Sequence, residues 1–238
     1  MAGKKFMKGF IRPPFNPTFV PDLTLWLDAA AKTSLVLTVS NEVSEWRDKS
    51  GQGNHFTQST TANKPIYNES NIAVEYSTSD HKLDITSLLG IGGQNARTMF
   101  FVINPDILST NDTIIYLNST AIGDVYWFRS SMRALVTGQD VTFNPSLTTG
   151  SKLILYLSND ASEQAQDIDA EIDRVVSTNQ SSSTTTINID GTTTTLGNIF
   201  SAGRAFDGGF SEVIIYSRDI TVTEKNKVYT YLENKYGI

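Results

Sequence analysis

Short runs in which apolar and polar residues take turns, each closed by a cluster of Gly, Asn, Asp or Ser, constrain this chain's fold more than any other feature. Leu23 to Leu27 reads LTLWL, Leu35, Leu37 and Val39 are spaced by two ahead of Val43 and Trp46, and Ile72, Val74 and Tyr76 alternate again. Leu153, Leu155 and Leu157 keep the same period. A period of two puts the apolar set on one face of a strand, whereas the unbroken run from Met99 to Ile103 suits a strand covered on both faces. Many short strands separated by turn residues predict an all-β chain, a two-sheet antiparallel jelly-roll sandwich. The 238 residues, 39% of them hydrophobic, suffice for one sizeable core, so residues 22–238 are expected to form a single domain. The stretch STNQSSSTTT (177–186) reads as a long loop or edge hairpin inside it.

One helix is predicted at the C-terminal end. Thr221 and Glu224 form a T-x-x-E capping box, Val228, Tyr231, Leu232 and Tyr236 share the face that follows, and Gly237 supplies the stop. A lone helix ending a β-rich chain most simply covers an open sheet face.

Residues 1–21 read differently. Lys4, Lys5, Lys8 and Arg12 carry no acid among them, although the chain as a whole has a net charge of −6. Phe6, Phe10, Phe15 and Phe19 are interleaved through this stretch, and Pro13, Pro14, Pro17 and Pro21 are expected to hold its second half extended. Large apolar side chains without a local core leave two readings, a tail folded back on its own domain or, favoured by the aromatics, an extended arm that docks in a groove of a neighbouring subunit or larger assembly, with Phe6, Phe10, Arg12, Phe15 and Phe19 as its contacts.

Composition removes several function classes. There is no cysteine and there are two histidines, His55 and His81, so disulfides, thiolate centres and multi-histidine metal sites drop out, and neither a metal nor a cofactor is expected. No run approaches the roughly 18 apolar residues of a membrane span and no signal peptide is visible, which predicts a soluble chain made in a cytoplasm. An acidic body argues against general nucleic-acid binding, which needs a basic face.

Three stretches carry candidate chemistry. WRDKSGQGNHF (46–56) holds Asp48 and His55, either of which could act as ligand or base. Its Ser, Asn and glycines equally suit a tight reversal in which Asp48 accepts backbone N–H bonds, and the structural corner is the preferred reading. His81, in SDHKL, divides the same way. DVYWFRSSMR (124–133) concentrates aromatics and arginines, and alternation puts Tyr126 and Phe128 on one face and Trp127 and Arg129 on the other. If the second pair is exposed, Trp127 and Arg129 are the ligand-binding candidates, through stacking on a sugar or anchoring of a protein. DIDAEID (167–173) sets Asp167, Asp169 and Glu171 at alternate positions.

LTLWLDAA (23–30), VSEWRDKSGQGNHF (43–56), IAVEYSTSDHKLDI (72–85), MFFVINP (99–105) and GRAFDGGFSEVIIYSRDITVTEKNKVYTYLENKYGI (203–238) together resemble successive landmarks of concanavalin-A-like, laminin-G-like jelly-roll domains of bacterial surface and bacteriophage virion proteins. Residues 106–202 match in rhythm alone. The resemblance implies two curved antiparallel sheets and carbohydrate or protein binding without catalysis. Laminarinase-type glycosidases share that fold and carry a strand motif E-x-D-x-E, which Asp167, Asp169 and Glu171 echo with a shorter first carboxylate. The expectation is therefore a virion structural or adhesion module that is not an enzyme, assembled in a host cytoplasm. It would be docked to virion proteins through residues 1–21, homo-oligomeric, and would present a surface for a host glycan. A laminarinase-type glycoside hydrolase and a freestanding lectin are the alternatives.

Overall fold

The computed structural model describes residues 14–77, 80–108, 112–117, 126–197 and 206–238, with 126 and 127 described through their backbone. The first half of the chain supplies β1 (Leu23–Asp28), β2 (Leu35–Leu37), β3 (Val43–Trp46), β4 (Phe56–Thr57), β5 (Ile66–Asn68), β6 (Ala73–Tyr76), β7 (Lys82–Ile85), β8 (Arg97–Ile107) and β9 (Thr113–Leu117). The second half adds β10 (Tyr126–Arg129), β11 (Arg133–Val136), β12 (Gln139–Asn144), β13 (Leu153–Asn159), β14 (Asp169–Ile172), β15 (Val175–Val176), β16 (Thr178–Asn179), β17 (Thr194–Gly197), β18 (Asp207–Tyr216) and the helix α1 (Val222–Tyr236). Among the described residues they form two antiparallel sheets. One has eight strands in the order β15-β14-β13-β8-β18-β6-β5, with β1 also paired to β18. The other has ten in the order β16-β12-β11-β10-β9-β17-β7-β4-β3-β2. The predicted β-sandwich is the fold observed.

The main core lies between the sheets. Leu25, Leu27, Phe101, Ile103, Val213 and Ile215 come to it from the eight-stranded sheet, and Trp46, Phe56, Leu83, Ile115, Phe128 and Leu196 from the ten-stranded one. A second cluster covers the outer face of the eight-stranded sheet, where Trp26, Phe100, Val102, Ile154, Tyr156, Ile214 and Tyr216 meet Val228, Tyr229 and Leu232 of α1. Both faces of β8 and β13 are thus apolar, which explains their continuous hydrophobic runs. α1 begins as the capping box predicts, with Thr221 as N-cap and the Glu224 side chain returning to its backbone, and ends at Gly237 in the left-handed region (φ 71°).

Residues 14–21 depart from the expectation of an extended arm and follow the alternative of a segment folded back on its own domain. From Pro14 the chain lies on its own sandwich, turning through a short 3-10 helix at Pro17–Phe19 that Asn16 caps. Proline at the first position of that turn favours it, since the ring fixes φ and removes an N–H that would lack a partner. Val20 is buried in the second cluster, Phe15 packs against that cluster with its ring 6.0 Å from Tyr231, and the Tyr216 hydroxyl donates to the Pro17 carbonyl at 3.2 Å. Phe19 stays 57% exposed. Phe6, Phe10 and Arg12 lie outside the described residues.

Candidate functional site

α1 closes the outer face of the eight-stranded sheet, and the outer face of the ten-stranded sheet carries a polar cleft at one end. Strand register lines up one row of side-chain positions across the latter face. Thr57 pairs with Asp84, Asp84 with Thr195, Thr195 with Tyr116, Tyr116 with Trp127, Trp127 with Leu135 and Leu135 with Asp140. The adjoining row, Leu83, Leu196, Ile115, Phe128, Ala134 and Val141, is fully buried in the main core, which fixes the first row as the outward one. From Asp84 to Asp140 the row crosses five strand spacings, about 24 Å at ~4.8 Å each.

At one end of the row a cleft of about 430 Å³ opens, lined by Ser44, Thr57, Gln58, Ser59, Lys64 and Asp84. Every lining side chain is polar. Asp84 is held from two sides, accepting from the Thr195 hydroxyl at 2.7 Å and from Lys82 Nζ at 2.9 Å, with 30% of its side chain exposed. The buried Gln58 amide donates to the Lys82 carbonyl at 3.3 Å and accepts from the Thr60 N–H at 2.9 Å. Lys64 follows the one-turn 3-10 helix Thr61–Asn63, its N–H returning to the Thr61 carbonyl. Gly197, opposite Lys82, adopts φ +88°, and a Cβ there would stand 2.5 Å from the Tyr76 ring and 2.6 Å from the His81 carbonyl. Glycine is what lets β17 close onto β7 beside the cleft.

At the other end, Asp140 accepts from Arg129 Nη2 at 2.5 Å and from Arg133. Arg129, expected as an exposed ligand contact, is 6% exposed, with that pair made along the sheet surface. Register places Trp127 in the outward row between Tyr116 and Leu135, while its side chain lies outside the described residues. Tyr116 is nearly covered, and burial pushes its phenol pKa up.

The remaining candidates are structural. Asp48 accepts from the N–H groups of Trp26 (2.9 Å), Ser50 (2.8 Å) and Asn54 (3.0 Å) and from the Ser50 hydroxyl (2.6 Å), while Gly51 and Gly53 take positive φ. His55 Nδ1 accepts the Asp48 N–H at 3.0 Å, so WRDKSGQGNHF is the corner that ties β3 to β1. His81 is buried, accepts the Ser77 N–H at 3.2 Å, and has its pKa lowered by burial. Asp167, Asp169 and Glu171 of DIDAEID do not all share a strand face. Asp167 belongs to the 3-10 turn Ala165–Asp167, and Glu171 of β14 is taken by Lys225 of α1 at 2.5 Å. Among the described residues no group of three His, Asp or Glu side chains is placed to hold a metal ion, and no helix is long and apolar enough to cross a membrane.

A second concavity, about 640 Å³ between Pro14–Phe15 and α1, is mostly apolar, and its Lys235 is spent on Asp28 (2.7 Å) and Glu212 (2.6 Å). Glu212 is fully buried and also accepts from Trp26 Nε1 (2.6 Å), Tyr231 (2.9 Å) and Tyr236 (2.8 Å). That cluster latches α1 to the sheet. Burial raises the Glu212 pKa against the pull of Lys235, whereas at Asp28 the effect of burial is outweighed by Lys235 and Lys49 and the pKa falls.

Asp84, Gln58 and Lys64 were not singled out by the sequence. Each sits where an ordinary polar residue stands on a half-buried strand or turn, and only cross-strand register gathers them.

No protein-family model and no curated protein matches the sequence. Solved structures do share the fold. Domain 4 of AbnA, an extracellular arabinanase from Geobacillus stearothermophilus solved in complex with arabinotriose, aligns with a TM-score of 0.53 and 16% identity over 85% of this chain and 96% of that domain. Trypanosoma rangeli sialidase, solved with 2,3-difluorosialic acid, aligns with a TM-score of 0.60 and 11% identity over 90% of this chain, which spans 33% of the sialidase. An arabinofuranosidase solved with arabinofuranosyl-α-1,2-xylobiose gives 0.56 and 15% over 79% of this chain and 50% of that one. These likenesses correct one expectation. A chain that is not an enzyme does not follow from this fold, because these three solved chains are glycoside hydrolases or parts of them. What the chain shares with them is an antiparallel β-sandwich of the kind built into carbohydrate-active proteins.

Proposed function

We propose that this chain is a carbohydrate-recognition sandwich that takes a saccharide on the outer side of its ten-stranded sheet, with the Asp84 cleft as its anchoring subsite. The observation that carries the reading is the all-polar cleft in which cross-strand register sets Thr57 beside Asp84 and Thr195 holds the Asp84 carboxylate, while α1 covers the opposite face of the sandwich. Sugar hydroxyls need fixed acceptors and donors on a surface that does not collapse when water leaves. Asp84, oriented by Thr195 and Lys82, is such an acceptor, and the buried Gln58 amide is fixed in the same way. Domain 4 of AbnA, solved with arabinotriose, supports the choice of class and supplies the first probe.

Isothermal titration of the full chain with arabinotriose and a panel of neutral and acidic trisaccharides tests the reading, with released reducing ends assayed in the same mixtures. Binding that Asp84→Ala weakens at least tenfold, about 1.4 kcal/mol, supports it. Undiminished binding by that variant, or none by the parent, overturns it.

A finer reading makes the same surface part of a bacteriophage particle, docked through the basic, aromatic residues 1–12, self-associated, and directed at a host glycan. The composition of that segment and the family resemblance support it. A mass-spectrometric inventory of purified particles tests it, and the chain's absence from every structural fraction counts against it.

A further inference from the structure

We infer that the saccharide taken by the cleft is acidic, carrying a carboxylate or sulfate that Lys64 receives; the inference rests on the carbohydrate reading above. The chain has a net charge of −6, yet the outer face from β7 to β12 and its cleft reverse that sign. Lys64, Lys82, Arg129 and Arg133 stand there against Asp84 and Asp140 among the described residues, and Glu45, next in the row beyond Thr57, is matched by Arg47 at 2.9 Å. The acids are already engaged. Asp84 holds Lys82 and the Thr195 hydroxyl, and Asp140 bridges the two arginines.

Lys64 differs from these other cations. It is half-buried, it lines the cleft beside Asp84, and it makes no ion pair or hydrogen bond through its ammonium group among the described residues. The turn that precedes it and the pairing of the Pro65 carbonyl with the Val43 N–H at 2.8 Å fix its backbone at the rim. A cation on the wall of a polar cleft gains from an anionic partner more than one on an open surface does, because solvent screens the pair less. A neutral saccharide would leave the lysine's charge unmatched, whereas a uronate or a sulfated sugar would fill it while its hydroxyls bind Asp84 and Gln58. The cations that flank the row also steer an anionic ligand to this face of an otherwise acidic protein.

The test is titration of the full chain with trigalacturonate, a sulfated galactotriose and uncharged arabinotriose, repeated with Lys64→Gln and at rising NaCl. Expected is tighter binding of at least one acidic trisaccharide than of arabinotriose, a preference that salt erodes. Lys64→Gln should remove about tenfold of that affinity, the loss typical of one charge-assisted hydrogen bond, weaken arabinotriose binding by a clearly smaller factor, and leave the unfolding midpoint unchanged. The better of the two acidic probes identifies the anionic group. Arabinotriose binding as tightly as both acidic sugars, or Lys64→Gln binding them as the parent does, overturns the inference and leaves the carbohydrate reading standing. Failure of all three to bind overturns both.

Discussion

Replacing Glu212 by alanine should loosen the helix that closes the sandwich, and the structure sets the size of the effect. The Glu212 side chain is inaccessible to solvent and accepts four hydrogen bonds, from Trp26, Tyr231, Tyr236 and Lys235. After the substitution Lys235 keeps Asp28 at 2.7 Å, Tyr236 keeps the Ser211 carbonyl at 3.2 Å, and Tyr231 keeps its contact with Lys235 at 3.0 Å. Trp26 Nε1, in a residue only 6% exposed, loses its acceptor. Removing one partner from a buried ion pair costs about 3–5 kcal/mol, and the surviving Asp28 contact puts this case near 3 kcal/mol. For a domain of this length that is a fall in Tm of about 6–12 °C. Urea unfolding followed by tryptophan fluorescence, alongside a thermal melt, measures both. A change below about 0.5 kcal/mol would refute the idea that one carboxylate latches α1 to the sheet.

Further consequences follow from the same contacts. Asp48→Ala, which strips acceptors from three backbone N–H groups, should cost about 2–3 kcal/mol in urea unfolding and leave saccharide binding intact; lost binding with unchanged stability would make the corner a ligand site instead. Glu224 has its pKa lowered to about 2, chiefly by the Arg218 hydrogen bond and then by those from Thr221. Because its folded pKa lies below the ordinary 4.5, its contribution is complete above that pH and is lost as pH falls from about 4.5 toward 2. Melts across that window should therefore show a shallower pH dependence for Glu224→Gln, and identical slopes would contradict the assignment. Glu171→Gln breaks the Lys225 pair at the base of α1, so any glycoside hydrolysis detected in the parent should persist in the variant; its abolition in a folded variant would place catalysis at β14 after all.

Much of the fold was legible because its signals are local. The period-two runs at Leu23–Leu27 and Leu153–Leu157 became β1 and β13, and the capping box at Thr221 and the glycine at 237 became the ends of α1. Local signals also explain the errors. Ile72 and Val39 fit the alternation yet lie outside the strands, 39% and fully exposed, with Ile72 in a turn at φ 49°. Tyr229 was not among the expected helix contacts, but it is fully buried between Phe100 and Tyr156. Asp167, Asp169 and Glu171 looked like a strand triplet until the 3-10 turn removed the first and α1 covered the last. The candidate site was the least legible part. Thr57, Asp84, Thr195 and Tyr116 come from four strands spread over more than a hundred positions, and no short-range pattern states that they share a row.

Backbone amide shifts recorded while arabinotriose and trigalacturonate are titrated into the labelled full chain test the central claim most directly. Saccharide recognition at the Asp84 cleft predicts changes concentrated at Ser44, Thr57, Gln58, Lys64 and Asp84, with the amides of β13, β14 and α1 unmoved. Changes gathered on α1 and the eight-stranded sheet, or none at saturating sugar, would contradict it.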